Sequence, residues 1–301
     1  MTAEFLGHIP MGFGGAAISG EGGGYGFGSV SETDAEKLLL TAWENGIRLF
    51  DTAPIYGFGL SEIRMGKFLP KDAYIVTKGG VNWHPNMRVD MSNAPHIIEK
   101  MIEESLKRLN RTISMYMIHW PDPKVDIRES LSVAKKYQDR GDIKDIGLCN
   151  THKDDLLKAE EVCTIKGLQS EVNLFNHKNF EFLEKKYLTM SWGSLDKGIL
   201  SGRVRSDRKF EENDARAWAP WWNKKEVQRK IEKVERLKGL LTDLNIPLTH
   251  FALQFIVNLK KIDFALIGPK NENDLKEVLK LVSTPIDEKT IESIYQEWIR
   301  E

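Results

Sequence analysis

Eight short apolar runs recur along the 301-residue chain, with longer helical patterns in most of the gaps between them, and few folds accommodate that rhythm. The runs are 9–15, 47–51, 73–78, 114–119, 145–149, 168–173, 188–192 and 263–268. Runs of five to seven residues suit strands. The gap "SETDAEKLLLTAWENG" reads as a helix: Ser31 and Asp34 resemble a capping box, Leu38, Leu39, Ala42 and Trp43 make one apolar face, and Gly46 ends it. "HIIEKMIEESLKRLN" repeats the pattern with Ile97, Ile98, Met101, Ile102, Leu106 and Leu109. Parallel strands need crossover connections of this length, so the helices belong outside a parallel sheet.

Eight such units predict an α/β chain folded as a (β/α)8 TIM barrel over residues 1–301, one domain with long loops at the C-terminal face of the strands. An open doubly wound sheet would need a glycine turn opening a helix. Gly12, Gly14 and Ala17 offer the turn, but the following "ISGEGGGYGFG" cannot begin a helix, so the open sheet is rejected. Two gaps are oversized, roughly 35 residues between the third and fourth runs and about 70 between the seventh and eighth, a length that marks functional loops.

With 43 Lys plus Arg against 44 Asp plus Glu, the chain carries no basic footprint for nucleic acid or an anionic membrane. No apolar run approaches the ~18 residues of a membrane span, and the opening "MTAEFLGHIPMGFGG" lacks the regions of a signal peptide. Cys149 and Cys163 stand in no metal-ligand spacing, so reduced thiols, a cytoplasmic location and no metal site are expected.

In such a barrel the chemistry gathers where strands end. Those ends carry Gly14 and Gly15, Asp51, Lys78, His119, Asn150, Gln169 and Glu171, Trp192 and Gly268. Any of these alone is ordinary; together on one face they call for an explanation. A partly buried Lys78 ammonium needs a counter-charge, which Asp51 on the neighbouring strand supplies. Tyr56, five residues beyond Asp51, then lies within loop reach. A free phenol titrates near pH ~10, and a cation within about 4–6 Å lowers that, in analogous pairs, by roughly 1–3 pH units. Tyr56 is therefore expected to serve as a general acid, with His119 donating a hydrogen bond to the same carbonyl oxygen. A proton donor and an oxygen clamp imply addition to a carbonyl, and the reducing equivalent that best suits them is hydride from a bound nicotinamide.

The residues that carry this reading also carry a family resemblance. "FDTAPIYGFGLSEIRMGKFL" resembles the aldo-keto reductase signature, and "IVTKGG", "YMIHWPDP", "GLCN", "LQSEVN", "SWGSLDKGILSGR" and "LIGPKNENDLKE" follow in that family's order over nearly the whole chain. The resemblance implies a catalytic tetrad of Asp51, Tyr56, Lys78 and His119. It implies Asn150 and Gln169 on the nicotinamide carboxamide and Trp192 against the ring. Gly193, Ser194 and Leu195 would line the pyrophosphate, and Gly14, Gly15 and Gly268 would admit the cofactor's close approach. Lys270 and Glu277 match the adenosine end, with Lys270 on a 2′-phosphate, and Asn271 stands beside them where some relatives have a second basic residue. Because Lys270 is present, NADPH is the expected cofactor; Asp274 stands where members often carry Arg, and an acid there disfavours a phosphate, so NADH is the alternative. Cys149 replaces the usual Ser before the carboxamide Asn, and the short segment ahead of the first strand implies a reduced N-terminal hairpin.

For the substrate, Tyr25, Trp83, Trp120 and Trp218 are the expected aromatic contacts, drawn from the long loops and from a flexible "GEGGGYGFG". Arg203 and Arg216 could meet an anionic group, and "DARAWAP" resembles an Asp-x-Arg motif of relatives acting on sugar-like and small aldehydes. A small-molecule carbonyl is the expected partner of a monomer or small homo-oligomer. Three rival functions fit the same fold. A Schiff-base aldolase would use Lys78 but leaves Asn150, Gln169 and Trp192 without a task. A glycosidase would need Asp51 and Glu171 facing each other, with Asp51 already committed to Lys78. A nicotinamide-binding regulatory protein with little turnover stays the main alternative, with the intact tetrad arguing against it.

Overall fold

Period-two alternation decides what each strand contributes. The computed structural model describes residues 9–84, 89–178, 186–205 and 207–300; the expectations for the opening segment, the reduced hairpin among them, lie outside the described residues. The strands are β1 (Met11–Gly14), β2 (Leu49–Asp51), β3 (Tyr74–Gly79), β4 (Val81–Trp83), β5 (Val89–Met91), β6 (Ile113–Ile118), β7 (Ile143–Cys149), β8 (Ile165–Glu171), β9 (Leu188–Trp192) and β10 (Phe264–Ile267). Eight of them close into a parallel barrel in the order β1-β10-β9-β8-β7-β6-β3-β2, and β4 and β5 form a separate antiparallel hairpin. Each of the eight expected runs overlaps a barrel strand; the hairpin was not anticipated.

One row of side chains fills the barrel: Leu49, Tyr74, Val76, Met115, Met117, Cys149, Met190, Phe264 and Leu266 form a buried cluster of their own. The alternate row, including Phe13, Phe50, Ile75, Tyr116, Ile118, Ile146, Leu148 and Ile267, packs outward into the larger core. The helices around that core are α1 (Glu32–Glu44), α2 (Leu60–Phe68), α3 (Pro95–Leu109), α4 (Ile127–Asp139), α5 (Lys153–Glu160), α6 (Lys224–Thr242), α7 (Leu248–Gln254), α8 (Glu272–Val282) and α9 (Glu288–Arg300). No described helix is long and apolar enough to cross a membrane. The capping box of α1 forms, with the Ser31 hydroxyl accepting from the Asp34 amide at 3.1 Å and donating to its carboxylate at 2.6 Å. Ile98, Met101, Ile102 and Leu109 of α3 are buried, while Ile97 and Leu106 sit at the rim.

The oversized gaps now have content. The first holds the β4–β5 hairpin and α3; the second holds short helical turns at Asp196–Ser201 and Ala215–Ala217 before α6 and α7. The glycine-rich segment, expected to be flexible, is instead fastened. Arg64 of α2, itself buried, donates to the Ile18 and Val30 carbonyls that flank the segment and pairs with Glu21 at 2.5 Å and Glu32 at 3.0 Å. Gly24 bridges to Tyr56 and Phe27 to Asp214, and the Ala215 amide donates to the Gly26 carbonyl at 2.9 Å. Gly24 has φ +62°, and a Cβ there would strike the Ile55 carbonyl oxygen. Only glycine meets both conditions.

Replacing Arg64 with Ala removes the donor that the Ile18 and Val30 carbonyls share, while the part-exposed Glu32 keeps Lys67 and Glu21 keeps the Val30 amide. The expected loss is about 2 kcal/mol, read as a lower urea midpoint at unchanged slope, together with faster proteolysis within 18–30.

Candidate active site

The inward rows carry the barrel's apolar filling, and at the C-terminal ends the same rows turn polar. Leu49 gives way to Asp51, Val76 to Lys78, Met117 to His119, Gly147 to Cys149, Gly167 to Gln169, and Met190 to Trp192, each two residues on. Register sets their heights. Asp51 lies opposite Val76 across β2–β3, Cys149 opposite Gln169 across β7–β8, and Glu171 opposite Trp192 across β8–β9.

Lys78 is fully buried and Asp51 nearly so. The ammonium donates to Asp51 Oδ1 at 2.6 Å and to the Thr52 carbonyl at 2.9 Å. Burial alone would depress the ammonium. The Asp51 charge, with smaller contributions from Tyr56 and Cys149, more than offsets it and holds Lys78 above its ordinary value. Lys78 is thus a fixed cation, a poor Schiff-base nucleophile at neutral pH.

Tyr56 sits beside this pair, with Lys78 Nζ 5.3 Å from its ring centroid and His119 edge-on at 6.2 Å between centroids. The residue keeps part of its surface open, but its hydroxyl end is enclosed. Enclosure pushes the phenol up to about 12; Lys78 pulls it down, and Asp51 and Cys149 push it up. This corrects the expectation that the cation brings the phenol below its ordinary value, because loss of water outweighs the neighbouring charge. The same enclosure, followed by Lys78, drives the His119 imidazole well below its ordinary value, so the ring is neutral and keeps one N–H donor.

Around the third side of the layer, the Trp192 indole donates to Asn150 Oδ1 at 2.9 Å, and Asn150 Nδ2 donates to the His119 carbonyl at 3.0 Å. Gln169 Nε2 donates to Asp51 Oδ1 at 2.7 Å. Two side-chain amides on adjacent strand ends, each both donor and acceptor, with an indole beside them, form a donor set that fits a nicotinamide carboxamide and ring.

The aldo/keto reductase family model matches residues 10–298. The chain belongs to that family. It is 30% identical over 292 residues to the aldo-keto reductase YhdN of Bacillus subtilis, covering 92% of this chain and 88% of the relative. It is 25% identical over 261 residues, 79% of each chain, to the NADH-specific methylglyoxal reductase of Escherichia coli. Among solved structures it is similar to the glycerol dehydrogenase of Gluconobacter oxydans, with a TM-score of 0.82 at 26% identity over 100% of this chain and 98% of that one.

Within this aldo-keto reductase the remaining expected residues divide. Tyr25, Trp83 and Tyr56 share one apolar cluster with Phe58, Trp218 packs at a tilt against Tyr25 with 5.4 Å between centroids, and Trp120 meets Trp192 edge-on at 6.2 Å. Tyr25, Trp83 and Trp120 therefore border the layer that holds Tyr56 and Trp192, and Trp218, half-exposed, reaches it through Tyr25. Ser194 is buried and gives its hydroxyl to the Ser191 and Leu266 carbonyls, both at 3.0 Å, while Leu195 is half-buried. Gly193 has φ +62° and gives its carbonyl to Asn173. A Cβ at Gly15 would lie 2.8 Å from the Asp51 carbonyl oxygen, one at Gly14 3.4 Å from β10 backbone, and one at Gly268 2.6 Å from the Ala17 Cβ. Packing by itself demands a small residue at Gly15 and Gly268, whereas a Cβ at Gly14 would make an ordinary contact.

At the adenosine end expected by resemblance, Lys270 donates to the Ala17 and Gly28 carbonyls at 3.1 and 3.0 Å, and burial pushes it down to about 8. Asn271 is spent as the cap of α8, accepting from the Asp274 amide at 2.8 Å. Arg203, expected to meet substrate, instead pairs with Asp274 at 2.5 Å and Glu277 at 2.8 Å. Arg216 likewise grips Asp214 through two nitrogens at 2.6 and 2.9 Å. Sequence reasoning missed Lys197. Its ammonium is 5.5 Å from the Trp192 ring centroid and 2.6 Å from Glu171, and a Lys two residues past the strand-end Gly-Ser-Leu was the available signal.

Lys78→Met leaves the Asp51 carboxylate buried beside an apolar chain. Such a broken pair costs about 3–5 kcal/mol, so chemical denaturation should record a loss of that size alongside any loss of activity.

Proposed function

We propose that this aldo-keto reductase reduces a small aldehyde or ketone to the alcohol, with Tyr56 as proton donor and His119 as the clamp on the carbonyl oxygen. The observation that carries the reading is the convergence of a buried cation, an enclosed phenol and a neutral imidazole beside the side-chain amides of Asn150 and Gln169. A reduced nicotinamide, when bound, supplies the hydride. Asn150 and Gln169 would hold its carboxamide and Trp192 its ring face; Gly193, Ser194 and Leu195 would follow the pyrophosphate.

Hydride addition builds negative charge on the carbonyl oxygen. The neutral His119 N–H and the Tyr56 hydroxyl both donate toward that oxygen, and Lys78 supplies a fixed positive field behind the phenol. With the phenol near 12 the donor is fully loaded at neutral pH. Transfer still runs downhill, since an aliphatic alkoxide is a stronger base than a phenolate. Asp51 keeps Lys78 cationic and in place.

The walls Tyr25, Trp83, Trp120 and Trp218 suit a short carbonyl compound passing between aromatic faces. The relatives named glycerol dehydrogenase and methylglyoxal reductase support a small polyol-derived or 2-oxo aldehyde class. For the cofactor, NADPH is the favoured reading. Among the described residues Lys270 has carbonyl partners but no direct carboxylate, so its charge is available to a 2′-phosphate, whereas Arg203 is neutralised by Asp274 and Glu277. The relatives divide, one from Schizosaccharomyces pombe being named for NADP(+) and the Escherichia coli enzyme for NADH. Two buried free thiols suit a reducing, cytoplasmic setting.

Tyr56→Phe should keep cofactor affinity by fluorescence titration and lose at least about 100-fold in kcat, the usual scale of a positioned acid; near-parental turnover would remove Tyr56 from the role. A second measurement concerns Lys270. It is protonated below about 8 and neutral above, and only the cation attracts phosphate. KM for NADPH should therefore climb as pH rises through that value while KM for NADH stays flat, and Lys270→Ala should abolish the difference.

A further inference from the structure

Four hydrogen bonds in the candidate site run head to tail. The Trp192 indole N–H donates to Asn150 Oδ1 at 2.9 Å, Asn150 Nδ2 donates to Cys149 Sγ at 3.2 Å, Cys149 Sγ donates to Gln169 Oε1 at 3.5 Å, and Gln169 Nε2 donates to Asp51 Oδ1 at 2.7 Å. The direction follows from chemistry. A carboxylate in an ion pair only accepts, so Gln169 must turn its nitrogen to Asp51 and its oxygen to Cys149. The thiol, pushed up to about 12 by burial, keeps its proton and can donate. Cys149, Gln169 and Asp51 are all within 4% of full burial, so water does not compete for these partners. Bonds aligned in one direction in a dry interior polarise one another. The last of them lands on the same oxygen that holds Lys78 at 2.6 Å.

We propose that Gln169 is a positioning residue for the Asp51–Lys78 ion pair, and that the Cys149 thiol fixes its orientation. The residues that would read nicotinamide and the pair that would poise the proton donor are then one hydrogen-bonded unit. A cofactor amide that engages Gln169 alters how much of the Asp51 charge is shared with a neutral donor and how much faces Lys78.

The charged and titratable groups facing the Tyr56 hydroxyl are Asp51 on β2, Lys78 on β3, His119 after β6 and Cys149 on β7. Asp51 raises the phenol and Lys78 lowers it. Removing the Gln169 donor leaves more of the carboxylate's charge unshared, so the phenol must move up.

The inference rests on the reading of Tyr56 as proton donor, and the test separates the two. In cofactor-free protein, tyrosinate absorbance after a stopped-flow pH jump, with the Tyr56→Phe trace subtracted, reports Tyr56 alone. Gln169→Leu should displace that titration upward by about half to one pH unit, Cys149→Ala should move it the same way by less, and Cys149→Ser, which keeps a donor, should return it toward the parent. The alkaline limb of kcat/KM, which reports the free enzyme, should move with it. An unmoved titration in both Gln169→Leu and Cys149→Ala overturns the inference, even if KM for the cofactor rises. So does a Cys149→Ser shift as large as that of Cys149→Ala. Should the parent reduce no carbonyl compound with either cofactor, the proposed function fails, and the tyrosinate titration still decides the coupling.

Discussion

A lysine ammonium with no exposed surface must be held by something, and in this barrel that requirement organises the whole C-terminal layer. Taking two charges out of water costs several kcal/mol for each ion, and attraction repays it only where geometry is tight and the remaining valences are filled. Here Lys78 has the Asp51 carboxylate and the Thr52 carbonyl, and Asp51 has Gln169 as a second donor. None of the three can shift alone without leaving a buried charge or donor unmatched. The parallel barrel makes this feasible. It delivers β2, β3 and β8 at heights that bring their inward end residues together, over a floor of Val76, Met117 and Met190 that excludes solvent.

Enclosure then acts on the neighbouring groups with opposite sign and one result. It raises the Tyr56 phenol and lowers the His119 imidazole, so both are neutral across the ordinary pH range. The layer thus contains one compensated ion pair flanked by two neutral donors. For a reaction that creates negative charge on oxygen this is a favourable starting point. Neither donor must be charged first, and the fixed cation stands behind the phenol where it stabilises the phenolate left after proton transfer.

Much of this was legible in the chain. Strands announced themselves because inward and outward rows are both apolar over most of their length, and the site announced itself where the inward row breaks from that rule at Asp51, Lys78, His119 and Gln169. Helix α1 was readable from Ser31, Asp34 and Gly46 because capping is local. What stayed hidden depends on partners distant in sequence. The β4–β5 hairpin is three residues a side with polar Asn82 and Asp90, too short for a periodic signal. Glycines in 20–28 suggested freedom, and the restraint comes from Arg64, Tyr56 and Asp214, none of them adjacent. The phenol's direction was misjudged because one charge could be named from sequence, whereas enclosure is a property of the assembled barrel.

The glycine-rich segment also joins functions that the fold would otherwise keep apart. Its Gly24 pairs with the backbone of Tyr56, its Gly26 accepts from Ala215, its Tyr25 packs against Trp218, and its Gly28 carbonyl holds Lys270. The loop proposed to touch substrate is therefore also the loop that pairs with the backbone of Tyr56 and whose Gly28 carbonyl accepts from Lys270. A barrel strand cannot change to suit a new substrate without disturbing the ion pair beneath it, whereas a loop can. In this chain the loop is not independent either: any change to Tyr25 or Trp218 that moved the segment would pull on Tyr56 through Gly24. If Tyr56 delivers the proton and Tyr25 meets the substrate, as proposed, the two roles would be coupled through these backbone contacts, and selection for a new carbonyl would fall under the restraint that keeps Tyr56 beside Lys78.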